Sequence, residues 1–297
     1  MKQAAIRNPG VSWELEAQEA QEAQEIHLPT VVHGMPFEEY LATEGYGSGA
    51  IRQFIKSPAH FLHYTRTKGE PPTPQMLLGS AAHCAVLEPR EFNARYAKAP
   101  AVDRRTKAGK EAWAEFVACN PHKEILTPEQ HDTAWAIKDT LAAMPEYRAL
   151  MSANAEYAVE VSRFWTDEAT NIKLKGRADM LRSDGVCIDL KTTVDASPHG
   201  YPRAIAKYGS HIQAAIYCDA FNCDHFIFVA IENKPPFAAG IYTLDEASLE
   251  LGRQQYRAAL DGIAKYEREG VWPVGYGEQE IGLPTWAFWE GEEEVIL

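Results

Sequence analysis

Two aspartates and a lysine stand where they could do chemistry together. Asp179 precedes a turn signal at 183–185, and Asp189 and Lys191 follow that turn. Because side chains alternate along a strand, Asp189 and Lys191 share one face of the second strand. Carboxylates at cross-strand distance repel each other, and a divalent cation with hard oxygen ligands would offset that repulsion. The sequence therefore predicts a cation site, with an exposed sheet edge carrying scattered charges as the alternative.

The length of the turn decides whether the two carboxylates meet. A three-residue turn at 183–185 places Asp179 opposite Asp189 in an antiparallel pair, whereas a two-residue turn places it opposite Leu190. Ile188 and Leu190 flank Asp189 and indicate that this strand is buried. The predicted site therefore requires an odd-numbered loop or a bulge at this hairpin.

The elements that must position these residues change in character near residue 155. Before that point the apolar spacing predicts helices, with a break at Ser57-Pro58 and a helix start at Thr127-Pro128. After it, strands rich in β-branched and aromatic residues alternate with helices. The pattern predicts an α/β core, a small sheet flanked by helices, behind a helical N-terminal half. The predicted helices are at 48–64, 76–89, 111–151, 210–221 and 245–268. The predicted strands are at 157–165, 225–232 and 240–246, with two more within 171–193 that the turn at 183–185 joins.

The net charge of −13 at first argues against a nucleic-acid binder, because phosphate contacts need lysine and arginine. The acidity is uneven, however. Residues 1–30 hold five acids and two bases, and residues 278–297 hold six acids and no base. The remaining middle of the chain carries −4. The 297 residues are 45% hydrophobic and 24% charged, which excludes a fully disordered or collagen-like chain.

The sequence also bounds domain organisation and location. The repeated Gln-Glu-Ala pattern at 13–25 has almost no apolar face, so residues 1–28 are predicted to be a flexible acidic leader. Residues 29–297 are predicted to form one domain with an acidic C-terminal tail. Five cysteines without a CxxC pair argue against a disulfide framework or a structural zinc site. With no apolar run of about 20 residues and no signal peptide, the prediction is a cytoplasmic protein without membrane contact.

Three segments in order resemble the RecB-like branch of the PD-(D/E)XK nuclease superfamily. They are GRADML at 176–181, CIDLKTT at 187–193 and HIQAAIY at 211–217. The upstream segments LLGSAAHCAVLEP at 77–89 and VDRRTKAGK at 102–110 are similar to RecE-type exonuclease VIII and its phage relatives. The resemblance covers roughly residues 46–220 and implies a restriction-endonuclease-like core.

The resemblance also implies roles for individual residues. The residues that would bind Mg²⁺ or Mn²⁺ are His83, Asp179, Asp189 and the carbonyl of Leu190. Lys191 would position the attacking water or stabilise the transition state, with Glu160 as a further site acid and Glu156 as a competing match. Gln213 and Tyr217 would face the site from one side of a helix. For His83 alone, a buried structural histidine is the alternative. The implied catalytic set is thus Glu160, Asp179, Asp189, Lys191, Gln213 and Tyr217.

The most basic stretch of the chain falls within the resembling region. Arg104, Arg105, Lys107 and Lys110 would contact DNA phosphates without reading sequence, or else simply solvate a loop and a helix start. No iron–sulfur cysteine pattern follows Cys223, and no Walker motif is present.

The activity that the resemblance implies is a 5′→3′ exonuclease acting on linear double-stranded DNA ends in phage-type recombination. It also implies a ring-shaped homo-oligomer around DNA and a single-strand annealing protein as partner. The alternatives are another nuclease of the superfamily, either an endonuclease or a single-strand exonuclease, and a non-catalytic DNA-binding protein on the same fold.

Overall fold

The computed structural model describes residues 30–67, 72–152 and 156–284. The predicted leader at 1–28 and the last part of the acidic tail lie outside these residues. The strands are β1 Thr30–Val32, β2 Tyr96–Lys98, β3 Glu124–Leu126, β4 Tyr157–Thr166, β5 Lys173–Arg182, β6 Val186–Thr193, β7 His225–Glu232 and β8 Ala239–Thr243. The helices are α1 Phe37–Ala42, α2 Ser48–Lys56, α3 Pro58–Arg66, α4 Pro74–Leu87, α5 Phe92–Arg95, α6 Lys107–Cys119, α7 Pro128–Ala143, α8 Pro145–Ser152, α9 Tyr201–Tyr208, α10 Ser210–Phe221 and α11 Glu246–Glu269.

A mixed sheet forms the centre of the fold. Within the described ranges it has six strands in the order β1-β4-β5-β6-β7-β8, and only β6 and β7 run parallel to each other. Helices α9 and α10 connect these two parallel strands, as a parallel pair requires a crossover connection. The predicted small mixed sheet flanked by helices, behind a helical N-terminal half, is confirmed.

Both faces of the sheet are covered. One face packs against α10 and α11 in a core that includes Ala178, Cys187 and Phe228. The opposite face packs against α4 and α7 through Met180, Ile188 and other apolar side chains. We call these the first core and the second core. Because both faces are buried, β6 carries almost continuous apolar residues, and its one buried charge requires a partner.

Proline and a serine or threonine cap fix the starts of three helices in the N-terminal half. Ser57, Thr73 and Thr127 each accept a hydrogen bond from the backbone N–H three residues later, and each is followed by proline at the first helical position. The predicted break at Ser57-Pro58 and the predicted start at Thr127-Pro128 are confirmed. Such a cap stabilises a helix by about 1 kcal/mol.

Three short strands were not anticipated from the sequence. β1 adds to the edge of the sheet beside β4, and β2 pairs in parallel with β3 in a separate small sheet. Each spans three residues, which is too short for an alternating pattern to stand out. In the described part of the chain, no helix combines the length and apolar character that a membrane crossing requires.

Candidate active site

The hairpin between β5 and β6 has the three-residue loop that the site requires. Met180 pairs with Ile188 and Leu181 pairs with Cys187, so Asp179 comes opposite Asp189. Gly185 closes the loop with φ of +79°, a conformation that glycine adopts without a Cβ penalty. The register predicted for the two aspartates is therefore confirmed.

The regular alternation of strand side chains breaks where the acidic residues lie. On β5, Ala178 packs in the first core but Met180 packs in the second, although strict alternation would keep them on one face. On β4, Glu160 falls opposite Asp179 in the register and has φ of +52°. A non-glycine residue in this left-handed region costs of the order of 1 kcal/mol or more. Backbone strain is thus present at Glu160, beside the point where the alternation of β5 breaks.

Three side chains from three elements converge into a cluster that could hold a cation. They are His83 on α4, Glu160 on β4 and Asp179 on β5, each partly buried, with one potential ligand atom apiece and all of these atoms within 4.8 Å of one another. His83 Nδ1 lies 3.4 Å from Asp179 Oδ2. We call this group the acidic cluster.

Asp189 lies beside the acidic cluster and is almost completely buried, with 1% of its surface exposed. Its Oδ2 lies 2.5 Å from Lys191 Nζ, and its Oδ1 accepts a hydrogen bond of 2.9 Å from Gln213 Nε2. The Leu190 N–H donates to Asp179 Oδ2 at 2.8 Å, where a strand partner would otherwise accept. Both oxygens of Asp189 thus have protein partners, whereas the cluster of potential ligands is centred on Asp179.

The pKa values reveal how poorly the negative charge is compensated. Burial raises the pKa of Asp179 to about 7, and the nearby Asp189 charge adds to the effect, while Lys191 and the Leu190 N–H oppose it. Burial and the charge of Asp179 likewise raise the pKa of Glu160. Burial and the positive charge of Lys191 lower the pKa of His83. A divalent cation would stabilise the deprotonated forms of all three groups.

The donor set of the acidic cluster fits such a cation. Two carboxylates and one imidazole are ligands that Mn²⁺ accepts, and the carboxylate oxygens also suit Mg²⁺. The cluster is partly buried, and without a cation two of its acids have raised pKa values. His83, Glu160 and Asp179 are therefore the residues that would hold the ion.

Residues 47–281 match the family described as a PDDEXK-like domain of unknown function, DUF3799. The chain belongs to this family. A provisionally named exonuclease from Eubacterium rectale has a similar crystal structure, with a TM-score of 0.56 and 14% identity over 81% of this chain and 89% of the other. The alkaline exonuclease LHK-Exo from Laribacter hongkongensis matches at a TM-score of 0.27 and 16% identity, over 61% of this chain and 97% of that one. No curated protein matches the chain.

The likeness to the Eubacterium rectale structure shows the fold alone, because the identity is low. The LHK-Exo match, at its lower TM-score, adds nothing to that conclusion. The fold is accordingly that of a PDDEXK-like domain, as the sequence resemblance implied. The RecE-type specificity within that fold remains a proposal.

An arginine that the sequence reasoning passed over supports the acidic cluster of this PDDEXK-like domain. Arg177 is buried, and its Nε donates a short hydrogen bond to Glu160 Oε2. Its guanidinium also donates to the Met35 carbonyl at 2.8 Å and to Ser162 Oγ at 3.3 Å. Its position two residues before Asp179, in the GRAD string, is the only sequence signal it carries. Glu156, the competing acid, is exposed at the start of β4.

Gln213 and Tyr217 both face the sheet, but they contact different strands. Gln213 holds Asp189, whereas the Tyr217 hydroxyl accepts a 3.3 Å hydrogen bond from the Arg177 backbone N–H. A Cβ at Gly176 would lie 3.1 Å from the Tyr217 ring. Tyr217 therefore contacts the backbone of β5 and reaches the acidic cluster only through Arg177.

The four basic residues predicted to contact DNA are all exposed near the start of α6. The Arg104 guanidinium lies 4.1 Å from the centre of the Trp113 ring, and Lys107 lies 3.9 Å from Glu111. Arg105 pairs with Asp103 at 3.0 Å. Their recorded contacts are local, and Lys110 completes the group. We call Arg104, Arg105, Lys107 and Lys110 the basic segment.

Proposed function

We propose that this chain is a metal-dependent exodeoxyribonuclease that degrades linear double-stranded DNA 5′→3′ in the cytoplasm. The products would be 3′ single-stranded tails for phage-type recombination. The observation that carries the proposal is the convergence of His83, Glu160 and Asp179 beside the paired Asp189 and Lys191. The polarity and the preference for duplex ends rest on the resemblance to RecE-type exonucleases.

In this proposal the residues of the site have different roles in hydrolysis. The acidic cluster would hold Mg²⁺ or Mn²⁺, and the ion would supply a more acidic water and polarise a phosphoryl oxygen. Lys191 forms an ion pair with Asp189, and its side chain is 29% exposed, so its ammonium can reach a scissile phosphate. There it would orient the attacking water and stabilise the charge that develops on the phosphate oxygens.

Other side chains fix the geometry of these groups. Gln213 donates to Asp189 Oδ1 and leaves Oδ2 to Lys191, so the ammonium is held at one end of a fixed carboxylate. Arg177 holds Glu160 in the acidic cluster in the same way. Gln213 and Arg177 are therefore positioning residues in this proposal.

The basic segment would contact the DNA backbone. Phosphate contacts of this kind position an enzyme without reading base sequence, which suits an enzyme that must process any DNA. A ring-shaped homo-oligomer would keep the enzyme on its DNA, and a single-strand annealing protein would receive the 3′ tails. Both partners are proposed from the family resemblance.

Digestion of end-labelled DNA tests the proposal. Linear duplex carrying a 5′ or a 3′ label is incubated with Mg²⁺ or Mn²⁺, beside covalently closed circular duplex and single-stranded DNA. We expect early release of the 5′ label, an intact circle and no digestion in EDTA. Asp189→Asn should abolish digestion, while Asp139→Asn, at an exposed aspartate on α7, should leave it unchanged.

Each other outcome favours one of the alternatives. A circle cut as fast as the linear duplex would favour an endonuclease, and preferred digestion of single strands would favour a single-strand exonuclease in repair. DNA binding with no digestion under any metal would favour a non-catalytic protein on the same fold. Early release of the 3′ label would reverse the proposed polarity.

A further inference from the structure

A polar cavity lies against the same sheet that carries the acidic cluster. It measures about 180 Å³ and is enclosed by β4, β5, α10 and α11. Its apolar walls are Trp165, Leu174, Ile216 and Ala220, and Arg163 is among its polar lining groups. This volume is far larger than a single water needs, and it opens to solvent. We call it the Arg163 pocket.

The carboxylates that line the pocket already have cations of their own. Asp167 accepts hydrogen bonds from both terminal nitrogens of Arg257, one of them at 3.1 Å. Asp219 accepts from Arg253 Nε at 2.9 Å and from the Tyr256 hydroxyl at 2.5 Å. The two acids and these two arginines thus balance each other.

Arg163 has no such partner. Its Nε is buried without a hydrogen bond, and its guanidinium forms no ion pair with any carboxylate in the part of the chain that the structure describes. Burial lowers its pKa. A buried guanidinium N–H without an acceptor is destabilising, and an anion beside this partly buried side chain would supply the acceptor. The planar guanidinium matches phosphate and carboxylate oxygens in particular.

The pocket is close to the acidic cluster in the chain and on the sheet. Arg163 is three residues beyond Glu160 on β4, which corresponds to about 10 Å along a strand. Ile216 and Ala220, in the wall of the pocket, lie on α10, the helix whose Gln213 contacts Asp189. A ligand in the pocket would therefore touch an element that also holds the site.

We propose that the Arg163 pocket binds a mononucleotide, with the phosphate on the Arg163 guanidinium and the base against Trp165 and the apolar walls. An aromatic ring is a good surface for a base, which is flat and apolar on both faces. The anion site rests on the cavity and on Arg163 alone. The choice of a nucleotide rests also on the proposed function, since DNA digestion would release nucleotides near this pocket.

Calorimetric titration of the metal-free full chain with 5′-dAMP and with inorganic phosphate tests this proposal. We expect both to bind, dAMP more tightly, and Arg163→Gln to weaken both at least tenfold, as expected for loss of a charged hydrogen-bond partner. Arg148→Gln, at an exposed arginine on α8, removes the same charge and should change nothing. Ala220→Leu narrows the cavity and keeps every charge, so it should weaken the binding of dAMP more than the binding of phosphate.

The remaining variants separate this site from the acidic cluster. Asp189→Asn should retain dAMP binding, and thermal melts should show that every variant folds. If binding were lost in Asp189→Asn and kept in Arg163→Gln, the ligand would lie at the acidic cluster and the proposal would be overturned. Absence of binding to the wild type at a ligand concentration of about 10 mM, ten times a Kd of about 1 mM, would also overturn it. If phosphate and dAMP bound with equal affinity, the pocket would be an anion site without a preference for nucleotides, and that part of the proposal would be overturned. No readout here is DNA digestion, so failure of the proposed function would be seen separately.

Discussion

Replacing Asp179 by asparagine should stabilise the metal-free protein at alkaline pH. Asparagine keeps an oxygen that can accept from the Leu190 N–H and removes the charge that burial and Asp189 disfavour. The pKa of Asp179 is raised from its ordinary 3.8 to about 7. Between these values the folded protein holds a proton that the unfolded chain has lost, so the stability of wild type falls as pH rises.

The size of the effect follows from the pKa difference. At about 1.36 kcal/mol per pH unit, wild type loses up to about 4 kcal/mol between pH 4 and pH 7, and the loss stays constant above pH 7. Asp179→Asn escapes this loss. For a domain of this size 1 kcal/mol shifts Tm by about 2–4 °C, so the variant should melt up to about 8–16 °C above wild type at pH 8.

Thermal melts in EDTA from pH 5 to pH 8 measure this difference. The Tm gap between Asp179→Asn and wild type should widen with pH, while Asp139→Asn, at an exposed position, should follow wild type throughout. Adding Mg²⁺ or Mn²⁺ at pH 8 should raise the Tm of wild type and leave that of Asp179→Asn unchanged, because only the native carboxylate contributes to the cation site. A Tm gap that is the same at pH 5 and pH 8 would refute the reasoning.

Three further variants test the other parts of the site. Lys191→Gln should lower the rate of DNA digestion at least 100-fold, measured as kcat with Mg²⁺ or Mn²⁺ present, because it removes the cation that pairs with Asp189. Replacing Arg104 and Arg105 with alanine should weaken DNA binding and reduce the slope of log K against log salt by about 0.9 per lost phosphate contact, with metal binding unchanged. Tyr217→Phe should lower the free energy of unfolding by about 1–3 kcal/mol, since the Arg177 N–H loses its acceptor, and should leave kcat within a few-fold of wild type.

Each of these variants has a matched comparison. Lys138→Gln removes a charge on α7 and should not affect digestion; equal activity of Lys191→Gln and wild type would exclude Lys191 from the chemistry. For the arginine pair, the control is the replacement of two exposed lysines elsewhere, Lys56 and Lys265, with alanine. If their removal reduced the salt slope equally, the basic segment would have no special role. A large loss of kcat in Tyr217→Phe, without loss of stability, would show that its hydroxyl acts in catalysis.

The register of the β5–β6 hairpin was predictable because it depends only on residues that are close together in the sequence. Alternation along β6 places Asp189 and Lys191 on one face, and the requirement that Asp179 meet Asp189 selects the three-residue loop. The choice between Glu156 and Glu160 was not predictable in this way. Glu156 immediately precedes β4 and lies four residues before Glu160, so alternation would put both on the same face, and the positive φ of Glu160 has no signature in the sequence.

Helix periodicity had a similar limit at α10. Residues four apart share a helix face, so Gln213 and Tyr217 were both expected to face the site. They do face the sheet together, but the rise of about 6 Å between them brings Gln213 to Asp189 and Tyr217 to the backbone of Arg177. The role of Arg177 depends on its distance to Glu160 on a neighbouring strand, which residue spacing alone does not encode.

The two-sided burial of β6 has a consequence for insertions and deletions. β6 pairs with β7 over all eight of its residues, so its register is fixed. Deleting one residue before Asp189 would turn Asp189 and Lys191 toward the second core, and Ile188 and Leu190 toward the face that packs against α10 and α11. Fold and site would be lost together. We therefore expect this strand to tolerate substitutions at its apolar positions far better than any change in its length.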